Sequence, residues 1–73
     1  MYTIKNCPRY AEDHPYIVAT EVGGTLWFYG AYDDLSKAYS AAYQDNRSVF
    51  ENDPDEVTLE FARWQDFNLS KRE

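Results

Sequence analysis

Hydrophobic positions are densest through residues 15–32, Pro-Tyr-Ile-Val-Ala-Thr-Glu-Val-Gly-Gly-Thr-Leu-Trp-Phe-Tyr-Gly-Ala-Tyr. Two runs rich in β-branched and aromatic residues flank Gly23-Gly24, a two-residue connection that accepts the positive φ angles of a tight hairpin turn. Pairing symmetric about the glycines sets Val22 opposite Thr25, Glu21 opposite Leu26, Thr20 opposite Trp27, Ala19 opposite Phe28 and Val18 opposite Tyr29. Period-two alternation then puts Ile17, Ala19, Leu26 and Phe28 on one face, and Tyr16, Val18, Thr20, Trp27 and Tyr29 on the other. Both faces are substantially apolar. The second face is therefore expected to be covered by the chain, by a partner or by a second copy. Leu26/Phe28 and Trp27/Tyr29 are both credible core sets and seats for a helix; the Leu26/Phe28 face is favoured because Ile17 and Ala19 accompany it, although Glu21 shares it near its end.

Upstream, residues 1–5 suit a short edge strand with Tyr2 and Ile4 on one side, and residues 6–14 read as an irregular arm. Pro15 biases His14 to extended backbone and opens the strand. Downstream, Asp33-Asp34 is a strong helix start, since an Asp at the N-cap accepts backbone N–H bonds and suits the positive end of the dipole. Leu35, Ala38, Tyr39 and Ala42 fall at helical spacing, with Tyr43 beside them, and predict a helix to about Asp45 stopped near Asn46. Ala38, Ala41 and Ala42 are small enough for it to lie close on a sheet. Residues 47–50 fit a short strand or a continuing helix equally. Residues 51–56 form an acidic turn around Pro54. Residues 57–63 alternate as a strand, with Val57, Leu59 and Phe61 inward and Thr58 and Glu60 outward. Residues 64–69 are expected to pack an aromatic back onto the domain, and residues 70–73 to fray. The expected fold is α+β: a small β-β-α-β domain with an antiparallel sheet of three to four strands and one helix on one face. Residues 1–73 form a single domain on this reading.

Composition narrows the function. Seventy-three residues, 44% hydrophobic and 18% aromatic, make a thin core in which large rings supply much of the buried area. The lone Cys7 cannot form an internal disulfide and fits a reducing cytoplasm. No apolar run of ~20 residues and no apolar leader is present, so neither a membrane span nor secretion is expected. Thirteen acidic against seven basic residues give a net charge of −6. That balance disfavours direct nucleic-acid binding, which needs clustered Lys and Arg, and favours a protein partner with a basic surface.

Catalytic signals are weak. Cys7 and His14 lie in an acidic arm whose only cationic neighbour is Arg9, a poor setting for an activated thiolate. Glu51, Asp53, Asp55 and Glu56 offer hard oxygens, but lack the glycine and distant bidentate Glu of a calcium loop. Gly23, Gly24 and Gly30 form no phosphate cradle. We expect no enzyme, no cofactor and no metal.

What remains is acid plus aromatic. Glu12 with Asp13, Asp33 with Asp34, and Glu51, Asp53, Asp55 and Glu56 are three acidic stretches that fit the rim of one surface, with Glu60 outward on the last strand. Spaced carboxylates on a rigid small domain imitate phosphate rows and suit an Arg- and Lys-lined groove. Tyr16, Trp27 and Tyr29, with Trp64, are candidate aromatic anchors. In size, acidity and the run of residues 16–39, a hairpin passing straight into an Asp-capped helix, the chain resembles small acidic proteins of bacteriophages and other mobile elements, anti-CRISPR proteins among them. Those proteins share no common signature, so no residue role carries over. The resemblance implies a compact β-β-α-β domain that inhibits a host nucleoprotein complex in the host cytoplasm. The alternative is a small homodimeric structural or regulatory module that buries the Trp27/Tyr29 face against its twin.

Overall fold

The computed structural model describes residues 2–43 and 46–62. The elements are β1 (Tyr2–Cys7), a 3₁₀ turn (Arg9–Asp13), β2 (Tyr16–Val22), β3 (Thr25–Tyr32), α1 (Leu35–Ala41), β4 (Arg47–Glu51) and β5 (Val57–Phe61). The expected β2–β3 hairpin is present, and φ angles of 61° and 82° at Gly23 and Gly24 give the turn that strand twist favours. Pairing follows the expected register from Val22–Thr25 to Ala19–Phe28, then shifts so that Val18 faces Gly30 rather than Tyr29. Tyr29 is the extra residue of a β-bulge. Gly30 suits that position, because a Cβ would stand 2.5 Å from the Tyr32 hydroxyl and that ring would have to move.

The sheet corrects the expected fold class. It has five strands in the order β4-β2-β3-β1-β5, and it is mixed, not antiparallel. Rather than lying at an edge, β1 runs parallel to both β3 and β5, with Ile4 opposite Leu26 on one side and Leu59 on the other. Its two apolar neighbours are far apart in sequence, so nothing local marked it as central. Three β1 steps from Ile4 to Cys7 match two on β5, and Asn6 takes a φ of 65° within that irregularity. The extra residue turns Cys7 inward, where it is fully buried. The arm is correspondingly shorter and more ordered than expected. Residues 47–50 resolve to strand, because β4 pairs antiparallel with β2 from Tyr16–Glu51 to Thr20–Arg47. In β5, Val57, Leu59 and Phe61 join the core as expected. Arg63, the tail of residues 64–69 and residues 70–73 lie outside the described residues.

The sheet is strongly curled. β4 and β5 occupy opposite edges, yet only residues 52–56 join them, and those fold into a turn with Glu56 and Val57 N–H groups donating to the Asp53 carbonyl at 2.8 and 2.9 Å. Flat, five strands would be about 19 Å across, beyond the reach of such a turn. The rings of Tyr2 on β1 and Phe50 on β4 nevertheless meet at 5.1 Å, although β2 and β3 lie between those strands. The concave face holds the core of Ile4, Cys7, Ala11, Ile17, Ala19 and Val57, with Leu26, Phe28, Ala31, Phe50, Leu59 and Phe61 packed against it.

The helix corrects the expectation twice. Asp34 is the N-cap, accepting from the Ser36 N–H at 2.8 Å, but α1 ends at Ala41, well short of Asp45. Arg47 donates to the Ala41 carbonyl at 3.1 Å as the chain turns back into β4. The helix also sits on the convex, Val18-bearing face, not on the Leu26/Phe28 face, which the sheet closes on itself. Val18 and Ala38 are fully buried outside the concave cluster. Small size decides the contact: Ala38 faces the sheet while Leu35 and Tyr39 of the predicted stripe are exposed.

Candidate functional site

The acidic stretches converge through contacts of two side chains, the Asn52 amide and the His14 ring. The Asn52 amide donates to the carbonyls of Ala11, Glu12 and His14 at 3.2, 3.3 and 2.8 Å, and its backbone N–H donates to the Pro15 carbonyl at 2.9 Å. This ties the turn after β4 to the segment bearing Glu12 and Asp13. His14 Nδ1 in turn contacts Asp33 Oδ1 at 2.6 Å, which brings in the start of the helix. Glu12, Asp13, Asp33, Asp34, Glu51 and Asp53 therefore share one pole of the molecule, all exposed. Asp55 and Glu56 continue along the same turn; the Asp55 N–H donates to Asp53 Oδ1 at 3.0 Å and the Glu56 carbonyl accepts from the Tyr2 N–H at 2.9 Å. Glu60 stands apart on β5, paired with Lys5 at 3.3 Å.

Two of the described cations stack on rings. Arg9 lies over the Phe61 ring at 5.1 Å and Arg47 over the Tyr29 ring at 3.9 Å. Among the described residues, the one ion pair at this pole is His14–Asp33, and Lys37 lies in the first turn of α1 beyond Asp34. A shallow cavity of about 400 Å³ beside it is lined by Pro15, Tyr16, Glu51, Asn52, Asp53 and Pro54, so Tyr16 borders the acids. Trp27 and Tyr29 do not join this surface. Both are partly exposed on the convex face, where Arg47 stacks on Tyr29 and α1 covers Val18.

Cys7 and His14 are not a dyad. The Cys7 thiol donates to the Ile4 carbonyl at 3.2 Å, and burial pushes it up to about 11, with the Glu60 charge acting in the same direction and a Glu60 backbone hydrogen bond opposing. His14 is engaged by Asp33 and stacks edge-on with Tyr10 at 5.9 Å. Among the described residues, no group of three or more His, Cys, Asp or Glu side chains is arranged to hold a metal ion, and no helix is long and apolar enough to cross a membrane.

Sequence reasoning located the acids but missed the residue that gathers them. Asn52 read as one polar residue in a polar turn, and its three acceptors lie about forty positions upstream. Comparison with protein-family models, with curated proteins and with solved structures found no match to this chain.

Proposed function

We propose that this protein is a non-enzymatic inhibitor, of the kind mobile elements make, that docks its acidic pole on the basic surface of a host nucleic-acid-processing protein. The observation that carries the reading is the convergence of three acid-bearing segments around Asn52 and His14. Carboxylates fixed on tied-down backbone present charge at set spacings, as a phosphate backbone does, and little ordering entropy is lost on docking. Complementary charge then steers association and sets specificity. Tyr16 at the rim supplies an aromatic contact beside the acids. The rival reading, a homodimer through Trp27 and Tyr29, has less open surface than the sequence suggested, because α1 and Arg47 occupy part of that face.

The test is capture of a partner from bacterial lysate by the tagged chain, followed by association kinetics with the purified partner. The expected partner is a nucleic-acid-binding protein released by heparin, which competes for its basic groove. Reversing Asp53, Asp55 and Glu56 to Lys slows association by about tenfold at low salt, and the difference shrinks as ionic strength rises. A partner bound equally well by the reversed variant at every salt concentration refutes the proposal.

A further inference from the structure

The curled sheet is plugged at one end and open at the other. At the plugged end, the 3₁₀ turn seats Ala11 in the core and sets Tyr10 edge-on to Phe28 at 6.2 Å. At the open end, a cavity of about 310 Å³ is lined by Tyr2, Glu21, Gly24, Leu26, Ser48 and Phe50. Its walls are aromatic and aliphatic: the Tyr2 and Phe50 rings tilt at 51° to one another, and Leu26 stands opposite Glu21.

Two of the lining residues break the alternation that builds the core. Glu21 follows Ile17 and Ala19 on the inward side of β2, and Ser48 accompanies Phe50 on the inward side of β4. Because Ser48 pairs with Ala19, the two polar residues lie on neighbouring strands at the same end. Among the described residues Glu21 makes no ion pair; Lys5 serves Glu60, while Arg47 and Arg9 lie over Tyr29 and Phe61. A carboxylate with no ion partner among the described residues, beside the exposed Tyr2 ring and the half-buried Phe50 ring, is the chemistry that recognises an organic ammonium group, which ring quadrupole and carboxylate attract together. A hard metal ion would want several more oxygens than one carboxylate and one hydroxyl provide.

We propose that this mouth binds a small organic cation, a quaternary or alkylated ammonium on a short body. The ammonium sits between Glu21 and the Tyr2 face, the body rests on Leu26 and Phe50, and Ser48 Oγ meets a hydroxyl on the ligand.

Choline and its neutral carbon isostere 3,3-dimethyl-1-butanol separate charge from shape. In a ¹H–¹⁵N titration of the full chain, choline shifts the amides of Tyr2, Glu21, Gly24 and Ser48 saturably, and the alcohol does so at least about tenfold more weakly. Glu21→Gln lowers choline affinity by about tenfold while its spectrum away from the mouth stays that of the folded protein, and Tyr2→Leu weakens binding independently of Glu21. Absence of choline-induced shifts at the mouth, an equal response to the alcohol, or undiminished binding by Glu21→Gln overturns the proposal.

Discussion

Removing the Asn52 amide tests whether the acidic pole is a built surface or a chance meeting of loops. Its two N–H groups serve three carbonyls at 2.8, 3.2 and 3.3 Å, so one of them is shared. A net intramolecular hydrogen bond contributes about 0.5–1.5 kcal/mol, which sets the loss in Asn52→Ala at roughly 1–3 kcal/mol. The Glu12 carbonyl lies at an exposed position and regains water, which favours the lower half of that range. In a domain of this size each kcal/mol moves Tm by about 4–8 °C, so a fall of roughly 5–15 °C is expected in thermal denaturation followed by circular dichroism. Asn52→Asp is nearly isosteric but points a carboxylate at three carbonyl oxygens between Glu51 and Asp53. It should therefore lose more than Asn52→Ala at neutral pH. Repulsion raises the pKa of the introduced carboxyl in the folded state, so its deficit shrinks as pH falls and it becomes protonated. If Asn52→Ala melts within a degree or two of the parent, or Asn52→Asp is no worse than Asn52→Ala at neutral pH, the amide does not hold the pole together.

Three further outcomes follow from the packing. The folded state favours the neutral Cys7 thiol, raised from 9.0 to about 11, so its contribution to stability is complete below pH 9 and is lost as pH climbs towards 11. Urea midpoints measured across that window should fall, Cys7→Ala should flatten the slope, and the native thiol should resist iodoacetamide until the protein unfolds. Arg47→Met removes the contact 3.9 Å over the Tyr29 ring and the bond to the Ala41 carbonyl; about 1–2 kcal/mol is lost, and amide exchange quickens along α1. Gly30→Ala brings a Cβ to 2.5 Å from the Tyr32 hydroxyl and swings that ring outward. Since burial is the main cause of the raised Tyr32 pKa, NMR titration of its phenol should show a downward shift, with a stability cost of about 1 kcal/mol.

Features decided by near neighbours were legible in the sequence. The Gly23-Gly24 turn, the first four hairpin pairs, the Asp34 cap and the inward set of β5 all follow from period-two patterning and cap chemistry. Features decided across the sheet were not. The bulge at Tyr29 is invisible to a pattern that Trp27, Phe28 and Tyr29 would satisfy in either register. Leu35 and Tyr39 continue a helical stripe, yet Ala38 makes the buried contact, because the curled sheet admits a small residue rather than a large one. The central place of β1 depends on β5, more than fifty residues downstream in the chain. Of the proposed site, the acidic stretches were readable as separate segments, whereas their convergence rests on Asn52 bonds that span about forty positions. Glu21 stood out as a charge on the core face; the cavity it lines did not, because it exists only once β4 and β1 approach.

The placement of β1 also bears on how the chain acquires its structure. Its strand partners are residues of β3 and β5, so the first of the described strands is completed by the last. The hairpin can form early from local pairing, but Ile4 and Cys7 remain half-sheltered until residues 57–61 arrive to cover the open side of β1. Pairings this distant in sequence slow folding relative to a helical protein of the same length, because loop closure comes before the contacts that offset it. They also bind the two halves into one cooperative unit: release of β5 uncovers β1, and β1 is the strand that joins β5 to the rest of the sheet. Proteolytic loss of the residues after Pro54 should consequently leave an unfolded chain rather than a smaller native core.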